Sequence, residues 1–88
     1  MRVAWTEKAL DELSDLYVML SLIEQDAMAK SVAGINRQLA DNPDAVGESH
    51  TPWVRVWFVA GLLLRFDIGP AEQKVTVYEV SRVRPRKR

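Results

Sequence analysis

The chain reads as an α+β domain of order β-α-α-β-β-β, a helical hairpin packed on one face of a mostly antiparallel sheet. Three observations predict this. Apolar residues recur at offsets of three and four through residues 9–20 and again through residues 28–39, the spacing of amphipathic helices. After Pro52 the alternation shortens to a period of about two, the spacing of strands. The later apolar runs are joined by Ala60-Gly61 and Gly69-Pro70-Ala71-Glu72, connections so short that the strands they join are antiparallel neighbours.

Arg2-Val3-Ala4-Trp5 reads as a short first strand with Val3 and Trp5 on one face. Thr6 is a good helix N-cap, and the charge of Glu7 suits a helix N-terminus. Ala9, Leu10, Leu13, Leu16, Tyr17 and Leu20 then form one apolar stripe, with Lys8, Asp11, Glu12 and Asp15 on the solvated side. A single helix from Glu7 to Ala40 would be long for so small a domain. A break is therefore expected between Met19 and Gln25, with Ser21 or Asp26 capping a second helix. In that helix Met28 or Ala29, Val32, Ile35 and Leu39 share a face. Asn42-Pro43 ends it, because the residue before a proline is pushed out of the helical region.

Asp41 to Pro52 reads as a polar loop, followed by strands over Trp53–Val59, Leu62–Ile68 and Lys74–Val83. The even-numbered residues Val54, Val56, Phe58, Leu62, Leu64, Phe66 and Ile68 are expected to meet the helices. In the last strand the parity of Val75 and Val77 would carry Glu79 and Ser81 inward. A β-bulge near Tyr78-Glu79 brings Val80 inward instead. The outer face would then show Arg55, Trp57, Arg65 and Asp67, with Thr76 or Tyr78, and Arg82 and Arg84 at its end.

Eighty-eight residues, 48% of them apolar, make one domain with one core. It is expected to span residues 1–83, with 84–88 as a basic tail. Cysteine is absent, which excludes disulfides, thiolate metal sites and a thiol nucleophile. No run approaches the ~18 apolar residues of a membrane span, and the first residues lack the apolar core of a secretory signal. A cytoplasmic protein without membrane contact is expected. No HExxH, phosphate-binding glycine loop or calcium loop occurs, so no metal or cofactor is expected.

The zero net charge conceals a split. Residues 1–52 carry four basic and nine acidic side chains, whereas residues 53–88 carry eight basic and three acidic ones. A basic half on a small domain suits an anionic partner, nucleic acid first. Arg55, Arg65, Arg82 and Arg84 are the candidate nucleic-acid contacts, since guanidinium groups interleaved with aromatics bind phosphate and unstacked bases. The structural alternative for Arg65 is a cross-strand pair with Asp67 or Glu79. His50, the only histidine, is a candidate acid or base, although a lone loop histidine is more often a solvated surface group. Trp53 and Trp57 lie in an unusually apolar strand that a partner chain would cover.

The run Leu13-Ser14-Asp15-Leu16-Tyr17, the helix end Ile35-Asn36-Arg37-Gln38-Leu39-Ala40-Asp41-Asn42-Pro43, and the strands Leu62-Leu63-Leu64-Arg65-Phe66-Asp67-Ile68 and Val75-Thr76-Val77-Tyr78-Glu79-Val80 follow one another in a familiar order. In element order and apolar pattern the chain resembles the RelE/ParE superfamily of toxins from type II toxin–antitoxin pairs. The resemblance implies a small cytoplasmic, growth-inhibiting protein neutralised by a cognate antitoxin. In the RelE branch the toxin enters the ribosome and cleaves mRNA, using basic and aromatic side chains on the sheet and near the C-terminus. In the ParE branch it inhibits DNA gyrase and cleaves nothing. The arginine of the RelE strand pattern Tyr-Arg-x-x-Tyr falls at Leu63, with Arg65 two residues on. Arg82 or Arg84 matches the basic residue ending the last strand, and no tyrosine or histidine follows it. As catalytic groups this leaves Arg65, Arg84 and His50. Three readings stay open: a ribosome-associated endoribonuclease, a non-enzymatic inhibitor of a protein such as DNA gyrase, and a catalytically degenerate member that only binds an antitoxin or nucleic acid.

Overall fold

Thr6 joins the two halves of the architecture. Its backbone N–H donates to Val77 O at 2.9 Å, continuing strand pairing. Its hydroxyl accepts from Ala9 N at 3.1 Å, opening the first helix. The computed structural model describes residues 1–49, 51 and 53–83. In chain order the elements are β1 (Arg2–Trp5), α1 (Glu7–Val18), α2 (Leu22–Asp41), a 3-10 turn at Pro43–Ala45, β2 (Glu48–Ser49), β3 (Val54–Val59), β4 (Leu62–Gly69) and β5 (Lys74–Arg82). The helix break falls where the sequence places it, and Ser21 is the cap. Its hydroxyl accepts from Glu24 N while the Glu24 carboxylate accepts from Ser21 N, a reciprocal capping box.

The described strands form one sheet of order β1-β5-β4-β3-β2. β1 runs parallel to β5, and every other pairing is antiparallel. The short strand β2, inside what the sequence presents as a loop, pairs Glu48 with Val56 and Ser49 with Arg55. Gly47 precedes it at φ +69°, where a Cβ would lie 2.5 Å from Val56 O. Only glycine fits both the left-handed backbone and that approach.

Ala9 and Leu13 from α1, Ile35 and Leu39 from α2, Leu62, Leu64 and Phe66 from β4, and Val75, Val77 and Val80 from β5 form the core. The expected bulge is present. Arg65 pairs with Glu79 and Phe66 with Val77, so Tyr78 is the extra residue and Val80 turns inward. The expected parity of β3 is reversed. Val59 pairs with Leu62, Trp57 with Leu64 and Arg55 with Phe66, which places Arg55, Trp57 and Val59 on the helix face. Val54, Val56 and Phe58 take the outer face, and Phe58 is 66% exposed. The cause is the two-residue turn. Ala60 (φ 53°) and Gly61 (φ 76°) both have positive φ, as a type I′ hairpin requires. Such a turn pairs an odd residue with an even one, so parity switches between β3 and β4.

β1 covers β5 only from Lys74 to Val77. Beyond that point α1 lies against β5, and Glu12 Oε1 accepts the Val80 backbone N–H at 2.8 Å. A side chain thus satisfies a donor that the sheet edge leaves unpaired. On the other side of the core, the Trp5 indole N–H donates to Asn36 Oδ1 at 2.8 Å and ties β1 to α2. No helix among the described residues is long and apolar enough to cross a membrane.

Candidate interaction surface on the outer sheet face

The outer face follows from the pairing register. Across the sheet run the rows Val54–Asp67–Thr76, Val56–Arg65–Glu79 and Phe58–Leu63–Ser81. One end of this surface is apolar, with Phe58 directly opposite Leu63 and Val56 beside them. The middle holds Arg65, whose guanidinium lies 3.8 Å from the Glu79 carboxylate, with both side chains about two-fifths exposed. That is the cross-strand pair the sequence offers as an alternative to nucleic-acid contact. Toward α1 the charges continue to alternate: Lys8 donates to Glu12 at 2.8 Å. This bond, and secondarily the Val80 N–H, hold the Glu12 carboxyl below its usual range. The same bond raises Lys8 above the ordinary lysine value. Glu12 is therefore not a merely solvated carboxylate of the helix surface.

At the far end, Trp53, Asp67, Glu72, Lys74 and Thr76 border an open hollow of about 510 Å³. Trp53 is 59% exposed and is held by its carbonyl, which accepts from Ile68 N at 2.9 Å. Two carboxylates and one ammonium line this hollow, so it has no excess of positive charge.

The other sequence candidates separate. Arg55 is on the helix face, where Nε donates to Val46 O at 2.9 Å and a terminal nitrogen to Gly47 O at 3.0 Å. It pins the loop before β2 and does not share a surface with Arg65. Trp57 is half-buried against the core, away from the exposed Trp53. Arg82 pairs with the core residue Leu62 and borders a hollow with Leu20, Glu24 and Met28, again on the helix side. His50 and Arg84, together with the rest of the basic tail, lie outside the described residues. The expected grouping of Arg55, Trp57, Arg65 and Arg82 on one outer face is thus corrected: Arg65 alone of the four is there. Val54, Val56 and Phe58 are the surface residues the sequence reading misplaces, although the predicted two-residue turn already implies their position. Among the described residues no cluster of three or more His, Cys, Asp or Glu side chains is placed to hold a metal ion.

No family profile and no curated protein sequence matches the chain. Solved structures do. A chain of the chromosomal ParDE toxin–antitoxin system of P. aeruginosa superimposes with a TM-score of 0.74 at 18% identity, over 96% of this chain and 97% of that one. The isolated E. coli RelE toxin gives a TM-score of 0.63 at 16% identity, over 98% and 87%. RelBE, the intact E. coli toxin–antitoxin complex, gives 0.60 at 16% identity, over 96% and 98%. Two helices on one face of a mostly antiparallel sheet, in this element order and over nearly the full length, make this a chain with the RelE/ParE fold.

Proposed function

We propose that the protein is the toxin of a type II toxin–antitoxin pair and that it acts by binding a protein target, not by cleaving RNA. The fold supports the first half of this reading. The second rests on the outer sheet face. A phosphate-binding surface needs cations free to meet the backbone. Here the rows carry Val54, Val56, Phe58 and Leu63, and their one arginine faces Glu79. An exposed aromatic ring, Phe58, set among the half-buried Val54, Val56 and Leu63 and beside a single charge pair composes a protein-binding surface. The cognate antitoxin is a small protein that covers the toxin, and the ParE likeness supplies DNA gyrase as the target to test first. Localisation to the cytoplasm belongs to this reading, because both proteins act there.

Induced expression tests it. The expected result is growth arrest relieved by co-expression of an antitoxin, with intact mRNA by primer extension and loss of supercoiling when the purified protein is added to gyrase. Cuts at fixed codon positions, abolished by Arg65→Ala or by Arg82→Ala with Arg84→Ala, would establish the ribonuclease reading instead.

A further inference from the structure

We infer that the tip of the helical hairpin is a second docking site, built for a segment of a separate protein whose apolar side chains are flanked by lysine or arginine. Val18 and Met19 close α1, and Leu22 and Ile23 open α2. They are 76%, 76%, 83% and 84% exposed. Scattered apolar residues on a surface are ordinary, but four neighbouring ones within six residues form a contiguous patch.

The patch is displayed on a satisfied backbone, not on a fraying end. Met19 N donates to Leu16 O and Leu20 N to Tyr17 O. The Gln25 side chain reaches back to Tyr17 O at 2.8 Å, and Ser21 and Glu24 complete the capping box. Leu20 turns inward to the hollow with Met28 and Arg82. The backbone that carries the four outward side chains is therefore fixed before any partner arrives, which lowers the ordering cost of binding.

The charge around the patch selects the occupant. From Ala9 to Ala29 the chain carries Asp11, Glu12, Asp15, Glu24 and Asp26 and no lysine or arginine. Lys8 offsets Glu12 at 2.8 Å and Lys30 offsets Asp26 at 3.3 Å, and Arg82 lies on the inward side of Glu24, so the uncompensated charge of the rim is that of Asp11 and Asp15. The last turn of α1 holds no basic residue, although the negative end of the helix dipole favours a cation there. A basic-flanked apolar segment supplies both what the patch and what its rim require. A second copy of this chain does not, because a two-fold contact would set the acidic rims of the two copies against each other. An anionic membrane surface is disfavoured by the same repulsion.

Two synthetic amphipathic helical peptides provide the probe, one with leucine and lysine and one with leucine and glutamate in the same pattern. Titration into the full chain, followed by backbone amide shifts, is expected to perturb Val18, Met19, Leu22 and Ile23 with the lysine peptide. It should bind about tenfold more tightly than the glutamate peptide. Leu22→Gln with Ile23→Gln, and separately Val18→Ser with Met19→Ser, should weaken lysine-peptide binding about tenfold while the unfolding midpoint stays unchanged. Equal binding of the two peptides overturns the inference, as do shifts centred elsewhere or tight binding by both double variants. A concentration-dependent dimer lost in the variants would assign the patch to self-association. The outer sheet face is untouched by these variants, so this result and the fate of the toxin reading are read separately.

Discussion

Glu12 shows how one side chain on a helix surface takes part in holding a sheet. Its carboxylate accepts from the Val80 N–H and from Lys8, both at 2.8 Å. Both bonds favour the charged form, so its pKa in the folded chain lies below the ordinary carboxylate value. A lowered folded pKa contributes stability that is complete above the unfolded value and is lost as pH falls through the folded one. Glu24 is shifted in the same direction by the Ser21 N–H. Stability should therefore decline below about pH 5, and Glu12→Gln should flatten that decline in urea midpoints measured across the acid range. Glu12→Ala, which also removes the acceptor for Val80, should cost about 1 kcal/mol at neutral pH. Ala60 is the opposite case, a residue that opposes its own backbone. With φ 53° it sits in the left-handed region that asparagine tolerates better. Ala60→Asn should raise the unfolding midpoint, corresponding to about 0.5–1 kcal/mol. An unchanged or lower midpoint would show that the turn carries no such strain.

Among the elements, the helices and the bulge were legible and the face of β3 was not. α1 and α2 each present one apolar stripe, and their caps Thr6 and Ser21 are the expected residue types. Tyr78 could be found because Val75, Val77 and Val80 fit one face only if one residue is skipped. β3 offers no such check, because Val54, Val56 and Phe58 are as apolar as Trp57 and Val59. Its face is decided by the turn that follows, a connection that reverses parity between β3 and β4. β2 looks like loop in the sequence because two residues against a neighbour leave no periodic trace. The assignment is open to direct measurement by chemical denaturation. Trp57→Ala should destabilise by about 3 kcal/mol, as for a tryptophan against a core. Phe58→Ala should stay within about 0.5 kcal/mol, as for a surface change. The reverse order would restore the expected parity.

For the molecule as a whole, the split of charge along the sequence does not become a basic sheet face among the described residues. The acidic half is largely the helical hairpin. The basic half disperses: Arg55 holds loop carbonyls, Arg82 turns toward α2, Arg65 faces Glu79, and the tail lies outside the described residues. The fold was legible because element order and apolar spacing are shared with solved structures to which this chain is only 16–18% identical. The site was less so, because linear order does not say which arginines share a face. On the proposed reading, this dispersal favours protein recognition over nucleic acid. The most direct test compares Phe58→Glu with Arg65→Ala in the growth arrest that follows induced expression, with folding of each variant checked by its unfolding midpoint. Phe58→Glu should abolish arrest and Arg65→Ala should leave it intact. Arrest that survives Phe58→Glu and disappears with Arg65→Ala would contradict an apolar protein-binding face.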